Sequence, residues 1–301
     1  KRGGALVGVR ERLNSYITGL ESCDVLVKSV SDLLPSLRGL IEQISVRDQL
    51  PQIEVAVGEN ATALVFRHLK PLTDPDRDAL AAFGEIHQTQ IFTQSKGPKT
   101  VTAVWPTEPD SLNYPLEKFG LTIEFSPVDF VQINGAINEK LVEIITSWLE
   151  LNHQDEVLDL FCGLGNFSLA TAQSAKKVLG VEGEPSLVQK AELNASRNQI
   201  QNATFRTRDL FDDGIADWSE GNFSKVIVDP PRSGAREALK RVVDDVKPEA
   251  IAYVSCNPAT LARDSADLIE SGIYRLDRLL VADMFPHTAH VETAALFKQI
   301  S

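Results

Sequence analysis

VLDLFCGLGNFSLATAQSAKKVLGV, residues 157–181, reads as strand, glycine loop, helix and strand. Residues 157–161 are apolar strand formers interrupted only by Asp159, residues 167–174 suit a helix, and residues 177–181 form a second apolar run. Gly163 and Gly165 lie in the turn, where glycine permits a tight bend and lets a ligand approach backbone amides closely. Such a unit belongs to an α/β domain with a parallel sheet.

The alternation extends in both directions. Residues 137–151 form an amphipathic helix upstream. Downstream come helix 185–198, strands 204–207 and 225–228, helix 235–243, strand 251–254, a helix from Pro258, and two closing strands, 273–281 and 291–298. These repeated units predict a Rossmann-like, doubly wound, mostly parallel sheet. Earlier residues read differently. A strand at 5–9, an amphipathic helix at 31–44, a hairpin 53–57 and 61–69 around Gly58-Glu59-Asn60, a helix at 74–87 capped by Thr73 or Asp74, and strands 90–93 and 101–105 suggest a smaller α+β domain. Three prolines make 106–115 a loop-like break, so the expected domains are 1–120 and 121–301.

Composition narrows the class. At 301 residues with 43% hydrophobic content the chain is long enough for two globular domains. Three widely spaced cysteines make no disulfide framework, and no apolar run reaches about 18 residues, so a cytoplasmic protein without a membrane partner is expected. The only methionine is Met284, so the sequence is expected to start part-way through a gene product. The net charge of -12 argues against indiscriminate nucleic-acid binding, but it is uneven. Residues 1–120 carry 13 basic against 15 acidic side chains and residues 121–301 carry 17 against 27.

Three acids sit at successive strand ends. Asp159 precedes the glycine loop and can hold an amine; Glu182 is placed for ribose hydroxyls; Asp209 can meet an adenine amino group. Asn166-Phe167 stand where a dinucleotide fingerprint needs its third glycine, so the pattern points to S-adenosylmethionine rather than NAD. Cys162, inside the loop, reads as packing.

Asp229-Pro230-Pro231-Arg232 follows strand 225–228, and its prolines hold the Asp229 carboxylate rigidly at a strand end. In AIAYVSCNPATLARD, residues 250–264, Cys256 lies between a strand and a helix capped by Asn257 with Pro258 in its first turn. A helix N-terminus is expected to lower that thiol's pKa, although an arbitrary free cysteine is more often a small core residue. In the usual strand order the loops at Gly163, Asp229 and Cys256 share one cleft.

These motifs, with FVQIN (130–134), GVEG (180–183) and DMFPHTAHVE (283–292), resemble the RNA (uracil-C5)-methyltransferases, and within them the iron-sulfur-carrying branch that acts on 23S ribosomal RNA. The resemblance is strong over about 121–301 and looser before. It implies an antiparallel last strand beside the Cys256 strand. It implies cofactor or base contacts from Gln132, Phe161, Gly163, Gly165, Asn166, Glu182, Asp209 and Asp229, with asparagine expected where Asp209 stands. It also implies Cys256 as nucleophile and Glu292 as base, with Asp229 completing the catalytic set. The chemistry needs these types: uracil C5 becomes nucleophilic only after a thiolate adds to C6, and a base must later remove the C5 proton. His287 and His290 read as loop structure or RNA contacts. Relatives with a four-iron four-sulfur cluster place three cysteines and a basic TRAM domain upstream, both lacking here, so Cys23 reads as an orphan fourth ligand and the cluster is expected in an intact parent rather than in this chain. The implied function is methylation of an unstacked uridine in 23S ribosomal RNA by a monomer. The alternatives are a transfer RNA T-loop uridine as target, or a non-catalytic module that binds RNA or adenosylmethionine.

Overall fold

A proline divides the first helical segment. The reading of one helix over 31–44 gives way to α1 (Lys28–Ser31) and α2 (Leu34–Gln43) because Pro35 falls in the first turn of α2. Proline lacks an N–H and its ring meets the carbonyl four residues back, which is that of Ser31, so the helix restarts. The computed structural model describes residues 4–11, 16–212, 221–285, 287–288 and 290–300. The described chain forms two compact units. The first runs to Asn113 and includes Phe125–Asp129; the second comprises Tyr114–Glu124 and Phe130–Ser301. The division is therefore not a single cut.

In the first unit the strand expected at 5–9 appears as the short β1 (Gly8–Arg10), paired antiparallel with β2 (Ile17–Gly19). The main sheet has the order β3 (Gln52–Val57), β4 (Thr62–Arg67), β5 (Gln90–Gln94), β6 (Val101–Trp105). The β3–β4 hairpin closes where Gly58 N donates to Ala61 O at 2.8 Å. Between β4 and β5 lies α3 (Asp74–His87), the crossover that lets them pair in parallel. Leu64, Phe66 and Ile91 pack against Leu37, Ile41, Leu80 and Phe83 to form this unit's core.

Helix α3 begins with a capping box. Asp76 accepts from Thr73 N at 2.9 Å and Thr73 Oγ1 at 2.8 Å, and it also takes Ser45 N at 2.6 Å and Ser45 Oγ at 2.7 Å. Burial pushes this carboxyl upward, but the Ser45 and Thr73 donors outweigh it and hold the pKa at about 2. A depressed acid pKa contributes stability above its unfolded value and loses it as pH falls through the folded value. Asp76→Asn is therefore expected to lower the unfolding free energy by about 2 kcal/mol at pH 7 and to flatten the acid limb between about pH 4 and 2, as read by urea titration.

The sequence reading of 106–115 as loop needs correction. It contains most of β7 (Leu112–Leu116), which forms a two-stranded ribbon with β8 (Leu121–Phe125). Pro115 is tolerated there because a ribbon strand need not donate on both sides. The second unit continues with α4 (Gly135–Trp148), β9 (Glu156–Leu160), α5 (Asn166–Ala172), β10 (Lys177–Glu182), α6 (Pro185–Arg197), β11 (Ala203–Thr207), β12 (Lys225–Val228), α7 (Arg236–Arg241), β13 (Ala250–Ser255), α8 (Pro258–Glu270), β14 (Tyr274–Ala282) and β15 (Glu292–Gln299). Its seven-stranded sheet has the order β11-β10-β9-β12-β13-β15-β14. The first five run parallel, and β15 pairs antiparallel with both β13 and β14, so that β14 runs in the same direction as the first five. This is the doubly wound sheet with an antiparallel last strand that the sequence implied. The strand order reverses between β9 and β12, which opens a crevice at their carboxyl ends. Buried residues on both faces, Leu158, Val226, Ile251 and Phe297 on one and Val157, Ile227, Ala252 and Leu296 on the other, fix the sheet.

Candidate active site

The glycine loop leaves β9 at Asp159-Leu160 and enters α5 at Asn166. It turns through three left-handed positions at alternate residues, Phe161 (φ 62°), Gly163 (φ 52°) and Gly165 (φ 92°). At Gly165 a side chain would also meet Leu169 Cγ at 3.2 Å, so the entry to α5 requires glycine. Glu182, the last residue of β10, ties the loop to its neighbour. Its Oε2 accepts from Gly163 N at 3.1 Å, and its Oε1 accepts from Gly183 N at 2.7 Å and Glu184 N at 3.0 Å. Asn166 exchanges amide hydrogen bonds with Asn138 of α4 at 2.9 and 3.1 Å and accepts from Tyr114 Oη at 3.1 Å. In this geometry its side chain locks the start of α5.

Asp159 is fully buried and takes Ser168 Oγ on Oδ2 at 2.5 Å. Its Oδ1 is buried without a partner. Burial, reinforced by the Asp229 and Glu182 charges and opposed by Ser168, pushes its pKa up to about 7. Cys162 is buried, and burial pushes its thiol well up, as expected of packing. Asp209 is exposed beyond β11 and accepts from Phe211 N at 2.9 Å; this turn sets the Phe211 ring 5.5 Å from that of Phe161.

Cys256 follows β13 directly. The β13–β15 register pairs Ser255 with Thr293, which brings Cys256 to the level of Glu292, and Thr293 Oγ1 donates to Ser255 O at 2.9 Å. Asn257 caps α8 through Oδ1 to Ala259 N at 3.1 Å, and its Nδ2 donates to Arg232 O at 3.1 Å. The expectation of a depressed thiol pKa is not met. Burial and then the Glu292 charge push Cys256 up, Asp229 adds to this, and a hydrogen bond from Arg232 works downward. The thiol sits one residue before the cap, where the loss of solvent comes first and the Glu292 and Asp229 charges add to it.

Glu292 is only 2% exposed and keeps a buried, unpartnered Oε2. Burial, with Asp229 adding and Arg232 opposing, raises its pKa to about 7. Burial does the same for Asp229. Arg232 is the residue beside the thiol that sequence reasoning passed over. It stood in the quoted DPPR turn, yet nothing in the sequence showed its contact with a thiol in a later loop. Its Nη2 also lies 2.9 Å from His290 Nδ1. Pro286 and Ala289 of the DMFPHTAHVE segment fall outside the described residues.

Gln132 lies in the segment leading into α4 between the exposed Phe130 and Ile133, with a buried, unpartnered Oε1. No hydrogen bond joins it to the thiol or the glycine loop. Cys23, in the first unit, is half-buried and its backbone N donates to Ser31 Oγ at 2.8 Å. Among the described residues no three His, Cys, Asp or Glu side chains gather as a metal site, so the residues present do not fit an iron-sulfur cluster. Among the described residues no helix is long and apolar enough to cross a membrane.

A family model described as tRNA (uracil-5-)-methyltransferase matches residues 14–300. A protein named 23S rRNA (uracil(1939)-C(5))-methyltransferase RlmD from Thiobacillus denitrificans is 45% identical over 300 residues, covering 99% of this chain and 69% of its own length. Its namesake from Nitrosococcus oceani is 47% identical, covering 99% and 67%. The chain thus spans about two thirds of these relatives. Among solved structures, Pyrococcus abyssi tRNA (uracil-54, C5)-methyltransferase in complex with S-adenosyl-L-homocysteine superposes with a TM-score of 0.76 at 25% identity, over 97% of this chain and 72% of that one.

Proposed function

Because the chain belongs to the tRNA (uracil-5-)-methyltransferase family, we propose that it transfers a methyl group from S-adenosylmethionine to C5 of an unstacked uridine in 23S ribosomal RNA through a covalent Cys256–C6 bond. The observation that carries this reading is the meeting of Cys256 and Glu292 across β13 and β15, with Asp229 acting on both. The ribosomal target is supported by 45% and 47% identity to relatives bearing that name, against 25% to the archaeal transfer RNA enzyme. Residues 1–120 carry 13 basic against 15 acidic side chains, a less acidic balance than the 17 against 27 that follow, and RNA contact assigned to this first domain must come from local basic patches.

The donor set fits adenosylmethionine. Asp159 offers an unpartnered carboxylate oxygen suited to an ammonium group, Glu182 stands at a strand end suited to ribose hydroxyls, and the Gly163–Gly165 turn brings backbone close. Phe161, Asn166 and Asp209 border the same loop, and Gln132 is assigned to the base edge. Bound there, the cofactor supplies an electrophilic methyl group. The protein must then do three things. Arg232 stabilises the Cys256 thiolate, which adds to C6 and turns the uracil into an enolate nucleophilic at C5. Once C5 carries the methyl group, Glu292 takes the C5 proton. The electrons of that C–H bond re-form the C5–C6 double bond and expel the thiolate. A thiol of pKa about 8.5 is only a few per cent ionised at neutral pH, so the Arg232 contact is needed against the upward pull of burial and of Glu292. Cys23 can serve a cluster only with three sulfur ligands from outside this sequence, and no step passes through one.

The test is methyl-labelled cofactor offered with 23S ribosomal RNA and, separately, transfer RNA, followed by mapping of 5-methyluridine. Label in one ribosomal uridine is expected. Label confined to the transfer RNA T-loop would overturn the target, and no label in either would overturn the enzyme.

A further inference from the structure

Two pieces of the motifs have no part in the chemistry so far: Ser233-Gly234 after the DPPR turn, and Arg263-Asp264 at the end of the Cys256 segment. They meet each other. Asp264, on α8, is 1% exposed, and its Oδ2 accepts from Tyr253 Oη of β13 at 2.7 Å and from Ala235 N at 2.9 Å. Its Oδ1 takes Arg263 Nε at 2.7 Å, and Arg263 Nη2 donates to Ser233 O at 2.9 Å. Gly234 has φ 83°, and a Cβ there would stand 2.5 Å from both Arg263 Nη2 and Asp264 Oδ2, so the loop fits against this pair only with glycine. Asn257 adds a further tie through Arg232 O.

The loop carrying Asp229 and Arg232 is therefore fastened to the two elements on either side of Cys256. We propose that Asp264 is a positioning residue for catalysis, clamping the Asp229–Arg232 loop to β13 and α8 so that Arg232 stays in hydrogen-bond reach of the Cys256 thiol. This rests on the reading of Cys256 as nucleophile. The buried carboxylate suits the task because it accepts from three donors on three segments at once. An amide at the same place would turn its N–H groups toward some of those donors. A clamp is also economical in effect, since small misplacements of reacting groups cost rate steeply.

The test compares the wild-type protein with Asp264→Asn and Tyr253→Phe at saturating 23S RNA and labelled cofactor. The phenylalanine removes one donor and keeps the ring, so it reports even where the asparagine variant fails to fold. We expect kcat to fall about 100-fold in Asp264→Asn and about 5-fold in Tyr253→Phe, with KM for RNA and cofactor within about twofold. The pH at which adduct formation is half-maximal should rise by about one unit in Asp264→Asn, because a thiol that has lost Arg232 ionises later. Unchanged kcat and pH profile in both variants, with only a lower melting temperature, would reduce the clamp to a structural contact and overturn the proposal. An inactive wild-type protein would instead overturn the reading of Cys256, and the clamp's role with it.

Discussion

Cys256→Ala is expected to abolish methyl transfer and to leave no denaturant-resistant complex with 5-fluorouridine-substituted RNA, a complex that the wild-type protein should form with cofactor present. The substituted base accepts the thiolate and the methyl group, but fluorine cannot leave C5 as a proton does, so the adduct is held. Without the thiolate C5 is not nucleophilic, and losses on removing a covalent nucleophile run to about 10⁴-fold or more. The other thiols give no substitute: Cys162 is buried and its ionisation opposed by burial and by Asp159 and Glu182, while Cys23 belongs to the first unit. RNA affinity by filter binding should stay within about threefold, since a half-buried thiol supplies little of a phosphate-dominated interface. A trapped complex in the alanine variant would transfer the role elsewhere.

The central strands β10, β12, β13 and β15 of the second unit were legible because they are buried along most of their length, on both faces, and therefore appear as short apolar runs between turn signals. Of the two caps read for α3, Thr73 or Asp74, the structure uses Thr73, which marked the helix start for a local reason that its capping box with Asp76 makes visible. What escaped were features decided by distant residues. β8 shows alternation at Leu121, Ile123 and Phe125, but its partner β7 carries Pro115, and the proline-rich composition suggested loop. The members of the site could be named from motifs, yet their electrostatics could not. Cys256 was given a low pKa from its local helix, whereas its burial in the folded chain sets the opposite direction and Glu292, brought across by strand pairing from 36 residues away in sequence, adds to it. Arg232 and Asp264 likewise acquire their roles only through tertiary contacts.

Glu292→Gln is expected to accumulate covalent protein–RNA complex with natural uridine RNA, because thiolate addition and methylation precede the step that needs the base. Turnover should fall about 10²- to 10⁴-fold, the usual range for a positioned proton acceptor. In the wild-type protein the carboxyl must be ionised to act, and with its pKa near 7 single-turnover product release from the adduct should rise as pH increases through about 7. The same shift has a consequence for stability of opposite sign to that of Asp76. The folded pKa lies above the unfolded one, so below about pH 4 the group is protonated in both states and costs nothing. Above about pH 7 it is charged in both, and folding carries the full penalty of a buried charge. Glutamine carries no charge, so the variant should be more stable than wild type by about 2 kcal/mol at pH 8 and equal to it near pH 4, as measured by urea titration. Loss of turnover together with gained stability separates a base from a structural residue. Rapid full turnover by the glutamine variant would remove Glu292 as the base, and a variant less stable at pH 8 would mean that this carboxylate is held in place for the fold.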